Sequence, residues 1–329
     1  MNYKNKKILV TGGSGFIGIN LANELASQGA FVTIIDKNDE PFGYLDKIII
    51  KIKADITKKE LENVDNEFEY VFHLAARTDI NSDDVNDYYE NYQGTEKLLK
   101  WLDKNKLKKF VLYSTQLVVG IQDVKRFVDE KEPYWTRTAY GESKIKAEKI
   151  TRKMCNAYNI KFVIVRPTSV FGPFGKEPYR DFFKTIFDGK YFHIGKADNL
   201  VSMCYVKNLI DLTLLLADKD DLNGRVYYGN DLYPYTMKQF ADTVANKFKE
   251  RIISVPDFIV YPATYILGLF KIVGLNVPLY PFRLRNIKAT YCFEMSSVIE
   301  QGYVPQYRLD QALEETLSWY KKNDDGFKI

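Results

Sequence analysis

A doubly wound α/β fold, with helices covering both faces of a parallel sheet and a smaller carboxyl-terminal domain attached, is predicted by three observations. Short apolar runs alternate with amphipathic ones through the first half of the chain. Those apolar runs are nearly continuous, as strands buried on both faces are. The first of them enters a glycine cluster that opens a helix, the strand–turn–helix order of a βαβ unit.

In order, Ile8, Leu9 and Val10 form the first strand, followed by Gly12, Gly13, Gly15 and Gly18 and an amphipathic run. Phe31, Val32, Ile34 and Ile35 form a second strand that stops at Asp36. Ile48, Ile49, Ile50 and Ile52 predict a third, ending at Ala54 and Asp55, and the polar 61–69 stretch predicts a short helix and loop. A fourth strand covers Tyr70 to Leu74, closed by Ala75 and Ala76. Tyr88, Tyr92, Thr95, Leu98, Leu99 and Leu102 share one face of a helix over 88–105. A strand at Phe110 to Tyr113, a loop with Gly120 and Pro133, a helix from about 139 to 158 and a strand at Phe162 to Val165 complete the pattern. Pro167, Gly172, Pro173, Gly175 and Pro178 then mark an exit into loop chemistry. Further on we expect helices over 209–217 and 236–248, a strand over 225–228, and a last helix starting at Leu309 and Asp310. The expected division is 1–170 with about 205–230 as a dinucleotide-binding Rossmann domain, and about 171–204 with 231–329 as a substrate domain.

Composition bounds the function. At 329 residues the chain can bury a large core, and its net charge of +4, from 47 basic and 43 acidic residues, is spread along the sequence. That pattern gives a solvated surface and no reason to expect nucleic acid as a partner. Cys155, Cys204 and Cys292 lie far apart without metal-ligand spacing, and the first strand begins too early for a signal peptide, so a cytoplasmic location is expected. The apolar stretch 258–275 is about as long as the roughly 17 residues of a minimal membrane span. Pro262, Gly268 and Lys271 interrupt it, favouring a helix over a substrate pocket or against the core over membrane contact.

Chemistry concentrates at three places. The glycines allow a tight turn and close approach of a pyrophosphate, while the helix-start amides around Phe16 and Ile17 face the anion. Asp36 lies eighteen residues past Gly18, close to the roughly 20 at which a carboxylate meets the ribose hydroxyls of NAD. It would repel a 2′-phosphate, although Lys37 beside it leaves NADP open. Tyr140 and Lys144 are four apart in AYGESKIKAEK, hence on one helix face about 5 to 6 Å apart at Cβ. An ammonium beside a phenol lowers its pKa, so Tyr140 can take a proton from an alcohol as hydride leaves the carbon. Ser114 and Thr115 end the fifth strand, where ligands sit in such sheets, and offer a hydroxyl to the reacting oxygen. His73 reads as a structural strand-end residue, and His193 has no neighbour that suggests a metal.

TGGSGFIG at 11–18, Asp36, HLAA at 73–76, NYQGTEKLL at 91–99, YSTQLVVG at 113–120, YGESK at 140–144 and RPTSVFGP at 166–173 together resemble an extended short-chain dehydrogenase/reductase of the epimerase/dehydratase type. The resemblance runs in order through the first half and is looser beyond it. It implies that Tyr140 is the acid/base, Lys144 its partner and a nicotinamide-ribose ligand, and Thr115 the hydroxyl at the substrate oxygen. It further implies that Asp55 and Ile56 lie near adenine, that Leu74, Ala75 and Ala76 run along phosphate and ribose, and that Gly12, Gly15, Gly18 and Pro167 contact NAD. Arg77, Gln116, Ser169, Arg283 and Arg285 become candidates for the substrate, and a homodimer is implied through the helices bearing Leu98, Leu102, Ile145, Ile150 and Met154.

Departures narrow the activity. Family dehydratases carry an acidic pair after the hydroxyl residue, where this chain has Gln116 and Leu117, so dehydration is disfavoured. Val119 and Ser169 replace a tyrosine and an asparagine common in UDP-sugar enzymes. The expectation is an NAD-dependent nucleotide-sugar epimerase acting at C4, in polysaccharide biosynthesis. The alternatives are a reductase or dehydrogenase of a keto-sugar or sterol-like alcohol, favoured by the 258–275 stretch, and a catalytically silent dinucleotide-binding regulator.

Overall fold

The computed structural model describes residues 3–119, 126–272 and 281–328. Its centre is a seven-stranded sheet in which every pair of neighbours is parallel. The chain runs β1 (Lys7–Thr11), α1 (Phe16–Ser27), β2 (Phe31–Asp36), β3 (Ile50–Lys53), β4 (Tyr70–His73), α2 (Tyr89–Trp101), β5 (Lys109–Tyr113), α3 (Ala139–Ala157) and β6 (Phe162–Pro167). Beyond β6 come β7 (Ser169–Phe171), α4 (Tyr179–Phe187), β8 (Phe192–Ile194), β9 (Leu200–Val201), β10 (Met203–Tyr205), α5 (Val206–Asp218) and β11 (Arg225–Gly229). The rest is β12 (Tyr235–Thr236), α6 (Met237–Phe248), β13 (Ile253–Val255), α7 (Asp257–Ile272), α8 (Pro281–Lys288), α9 (Ser296–Glu300) and α10 (Leu309–Asn323).

The strand order is β11-β6-β5-β4-β1-β2-β3. The order reverses beside β1, and the carboxyl ends of β1 and β4 open a crevice there. Pleating sends alternate residues to opposite layers: Ile8, Val10, Val32 and Ile34 join a core with α1 and α5, while Leu9, Ile35, Leu112 and Ile164 join one with α2 and α3. This two-layer burial is why the strands lack an apolar–polar alternation.

Several expectations shift. The third strand begins at Ile50, because Ile48 lies in a turn closed by its own amide on the Asp46 carboxylate at 3.0 Å. No helix forms over 61–69; turns suffice to deliver Leu61 and Phe68 to the core. The helix expected from Tyr88 ends at Trp101, whose carbonyl accepts from Asn66 Nδ2 at 2.8 Å. Gly120 lies outside the described residues. Leu98, Leu102 and Met154 are buried in the α2–α3 core, Ile150 packs against it, and Ile145 packs with Val118 and Phe293. The apolar surplus expected to serve a dimer is thus used within the chain.

The 258–275 stretch departs most. It is helical as α7 up to Ile272, with 273–275 outside the described residues, but its described side chains, up to Leu267, do not line the large cavity and few of them are buried. Val260 and Thr264 are buried, while Phe258, Ile259, Tyr261, Tyr265 and Ile266 are exposed. Among the described residues no helix is long and apolar enough to cross a membrane.

Candidate active site

One cavity of about 1070 Å³ gathers the carboxyl ends of β1, β2, β4, β5 and β6. Gly12, Gly15, Phe16, Ile17, Gly18, Asp36, Lys37, Asp55, Ile56, Leu74, Ala75, Ala76 and Pro167 line it, as do Thr115, Gln116, Tyr140, Lys144 and Ser169. Arg77 does not. Its Nε donates to Asp79 Oδ2 at 2.7 Å and its Nη1 to the Asp87 carbonyl at 2.9 Å, so the guanidinium is held in its own loop. Arg285 is exposed on α8 and away from the lining, and the Arg283 side chain lies outside the described residues.

The turn after β1 explains its glycines. Gly12 has φ +73°, and a Cβ there would stand 2.6 Å from the Ala75 amide nitrogen; one on Gly18 would stand 2.2 Å from the Gly12 carbonyl oxygen. Asp36 closes the turn, accepting from the Ser14 amide at 3.1 Å and the Asn38 amide at 3.0 Å, with lone pairs left on both oxygens. Lys37 Nζ is paired with Glu90 at 2.7 Å, and Lys53, across the strand register from Asp36, is paired with Asp39 at 2.9 Å. Asp55 accepts from the Thr57 amide and hydroxyl at 2.8 and 2.7 Å. Burial raises its pKa, but these bonds and the charge of Lys58 outweigh it, and the carboxyl is held below its ordinary range. A tight cradle, a carboxylate with open lone pairs at the end of β2 and an elongated cavity fit a dinucleotide.

α3 starts at Thr138, whose hydroxyl accepts from the Gly141 amide at 3.0 Å, and this cap fixes the helix turn that carries Tyr140. Tyr140 and Thr115 both line the cavity. Burial pushes the Tyr140 phenol up to about 12, and the Thr115 hydroxyl works against that shift. The lowering expected from Lys144 is not seen: burial sets the direction, and the opposing group is Thr115. Lys144, itself buried, is pushed down to about 8, opposed by the charge of Glu148.

Beneath this pair lies a network that the sequence reading missed. Glu148, one turn beyond Lys144, is fully buried and takes both Nε and Nη2 of Arg166 at 2.9 Å each. It also accepts from Ser114 Oγ at 2.5 Å and Tyr134 OH at 2.8 Å. Ser114 is therefore committed to the scaffold, leaving Thr115 as the strand-end hydroxyl next to Tyr140. Asn91 is a second such tie: its Oδ1 accepts from the Arg77 amide at 2.7 Å and its Nδ2 donates to Ser143 Oγ at 2.8 Å, joining the loop after β4 to α3. The residue spacings Lys144–Glu148 and Ser114–Thr115, with Arg166 at the end of β6, were the available signal for the first network.

His73 bridges Thr11 at 2.7 Å and Thr95 at 2.9 Å, and burial, with the Lys144 charge second, drives its pKa down to about 3. It is a neutral strut. His193 contacts Asp242 at 2.8 Å, and among the described residues no cluster of His, Cys, Asp or Glu could hold a metal. On the substrate side, Gln116 Oε1 is buried without a partner among the described residues, and Ser169 lines the cavity. Lys176 and Tyr179, not singled out from sequence, also line the cavity. Lys176 comes from the 172–178 turns and Tyr179 opens α4 directly after them.

Residues 8–228 match the NAD dependent epimerase/dehydratase family, more than half of the chain, and the protein belongs to that family. Its cofactor is NAD. Over 98% of each chain it is 29% identical to the N-acetyl-α-D-glucosaminyl-diphospho-ditrans,octacis-undecaprenol 4-epimerase of Escherichia coli O157:H7. It is 28% identical to a 3-beta-hydroxysteroid dehydrogenase of Mycolicibacterium neoaurum, covering 95% of this chain and 91% of that one. The fold is shared with the UDP-glucuronic acid 4-epimerase of Bacillus cereus in complex with NAD, at TM-score 0.78 and 21% identity over 98% of this chain and 100% of that one.

Proposed function

We propose that the protein is an NAD-dependent 4-epimerase of a sugar carried on a diphosphate, with a nucleotide sugar as the expected substrate class. The observation that carries this reading is the gathering of Tyr140, Thr115 and buried Lys144 in the same cavity as the glycine turn and Asp36. Bound NAD supplies a hydride acceptor and, on return, a donor. Thr115 holds the C4 oxygen of the sugar, and Tyr140 takes its proton as the carbon is oxidised to the ketone. Lys144 would hold the nicotinamide ribose and, while protonated, would favour the phenolate. Tyr140 then returns the proton to the same oxygen when hydride reaches the opposite face of C4. Gln116 Oε1, left without a partner, is the acceptor for a second sugar hydroxyl. Lys176, exposed at the rim, suits a diphosphate.

The family dehydratases' acidic pair is replaced by Gln116 and Leu117, which supplies no carboxylate for elimination. We assign the remaining expected roles as part of the same reading: Asp36 to the adenosine ribose, Asp55 and Ile56 to adenine, Ala75, Ala76 and Pro167 to the cofactor's inner half. A place in polysaccharide biosynthesis, a cytoplasmic location, a homodimer and the division into nucleotide and substrate domains accompany it. Incubation with UDP-N-acetylglucosamine and with related UDP-sugars tests the reading: inversion at C4 without added oxidant supports it, and net NADH release with an oxidised product overturns it.

A second reading keeps the chemistry and changes the carrier to a polyprenyl diphosphate, as in the name of the E. coli relative. The exposed apolar face of α7 favours it.

A further inference from the structure

The described part of α7 presents an unbroken apolar arc to solvent. Phe258 is 76% exposed, Tyr265 64%, Ile266 59%, Ile259 50% and Tyr261 44%. Pro262 and Ala263, between them, are exposed as well. At 3.6 residues per turn these positions span roughly 200° of the helix, and none carries a charge. A helix that merely borders solvent shows the opposite pattern, with polar side chains outward. The inward stripe is already satisfied, since Val260 packs with Val255, Ile194 and Leu284.

The surroundings are cationic. Lys196, Arg251 and Arg285 are exposed on the segments that flank or pack against α7, while Asp257 is neutralised by Lys288. Asp198 and Glu250 are the acids nearby in sequence, Asp198 exposed and Glu250 half-buried. Ile253 on β13 and Ile287 on α8 are exposed apolar residues too. Apolar residues with two tyrosines at the face and arginine and lysine on the neighbouring segments match a helix lying in the interface of a negatively charged bilayer. The face is also tied to the cavity. α8 leads within three residues to Tyr291, whose hydroxyl donates to the Gln116 carbonyl at 3.3 Å, and Asn199 Nδ2 holds the Ile287 carbonyl at 3.0 Å.

We propose that α7 docks the protein onto the surface of an anionic phospholipid bilayer, where the site meets a sugar diphosphate whose carrier stays in the lipid. This rests on the reading of the site as one for sugar diphosphates. The test is co-sedimentation of the full chain with vesicles of phosphatidylethanolamine and phosphatidylglycerol, with phosphatidylcholine vesicles as the neutral arm. The wild type should partition onto the anionic vesicles about ten-fold more strongly than onto the neutral ones, and added salt should weaken it. The Phe258→Asp/Ile266→Asp double variant should lose about ten-fold or more of that binding while keeping its NAD affinity and its turnover of water-soluble UDP-sugars. Equal binding by variant and wild type, equal binding to both vesicle types, or no vesicle binding overturns the proposal. So does a wild-type dimer that the variant converts to monomer without vesicle binding, which would make the face a contact between two copies. Vesicle binding without C4 inversion of any sugar would leave docking standing and remove the epimerase reading instead.

Discussion

Tyr140 sits in the cavity with its phenol pushed up to about 12 by burial, against the opposing effect of the Thr115 hydroxyl. A base in that state is idle until a cation arrives beside it, which couples proton removal to occupancy of the nicotinamide position. Tyr140→Phe should keep NAD affinity by calorimetry and lower turnover about 10²- to 10⁴-fold, the usual weight of a positioned acid/base. Lys144 has a sign that can be read. Burial lowers its pKa from 10.5 to about 8, so between those values the unfolded chain holds a proton that the folded chain lacks. Its contribution to stability therefore rises with pH across that window in the cofactor-free protein. Denaturant unfolding of the wild type and Lys144→Met should show their difference moving in favour of the wild type from about pH 8 to 10.5; a flat difference would contradict the burial of the charge. Asp36 keeps open lone pairs while Lys37 is tied to Glu90, so NAD should bind more tightly than NADP. Asp36→Ala should narrow that gap in parallel titrations. These residues were legible because each lies in a short motif whose chemistry depends on local spacing. The Glu148–Arg166 pair was not, since its members are brought together only when α3 packs on the sheet.

At the scale of elements, β1–α1–β2 is the clearest case of a sequence pattern reaching the structure intact, because a tight glycine turn fixes strand, helix and acid in one local unit. The 61–69 segment and the start of β3 were misjudged because side chains at turns, such as Asp46, settle their backbone. α7 was misjudged for a different reason: apolar content predicts burial, and here the apolar face is outside. The element most dependent on long-range contact is α3, pinned by Glu148 to Arg166 of β6, Ser114 just after β5 and Tyr134 of the preceding loop. Both charges are almost wholly buried. Glu148→Ala leaves Arg166 buried without its partner and should cost about 3–5 kcal/mol in denaturant unfolding, with Tyr140 and Lys144 displaced together. A loss near zero would show that the network is dispensable.

For the whole molecule, the reversal of strand order beside β1 places the cofactor crevice; Tyr179 of α4 lines the same cavity, and Tyr291 donates to the carbonyl of the lining residue Gln116. NAD bound in that crevice favours only the folded chain. At a hundredfold excess over its Kd it should raise stability by about 2.7 kcal/mol. The proposed homodimer has lost its apolar argument from Leu98, Leu102 and Met154, which the chain buries itself, and light scattering at micromolar concentration decides it. Topology and the nucleotide half were readable at this scale because βαβ repetition is written along the chain; the carboxyl half, assembled from two-stranded sheets and aromatic packing, has no such period. The central claim is tested most directly by following C4 configuration and nicotinamide absorbance together, in one reaction with a UDP-sugar and only the cofactor the enzyme carries. An epimerase gives many turnovers of inversion at C4 with no accumulated NADH, and Tyr140→Phe gives none. Steady NADH formation with a ketone or acid as product would contradict it.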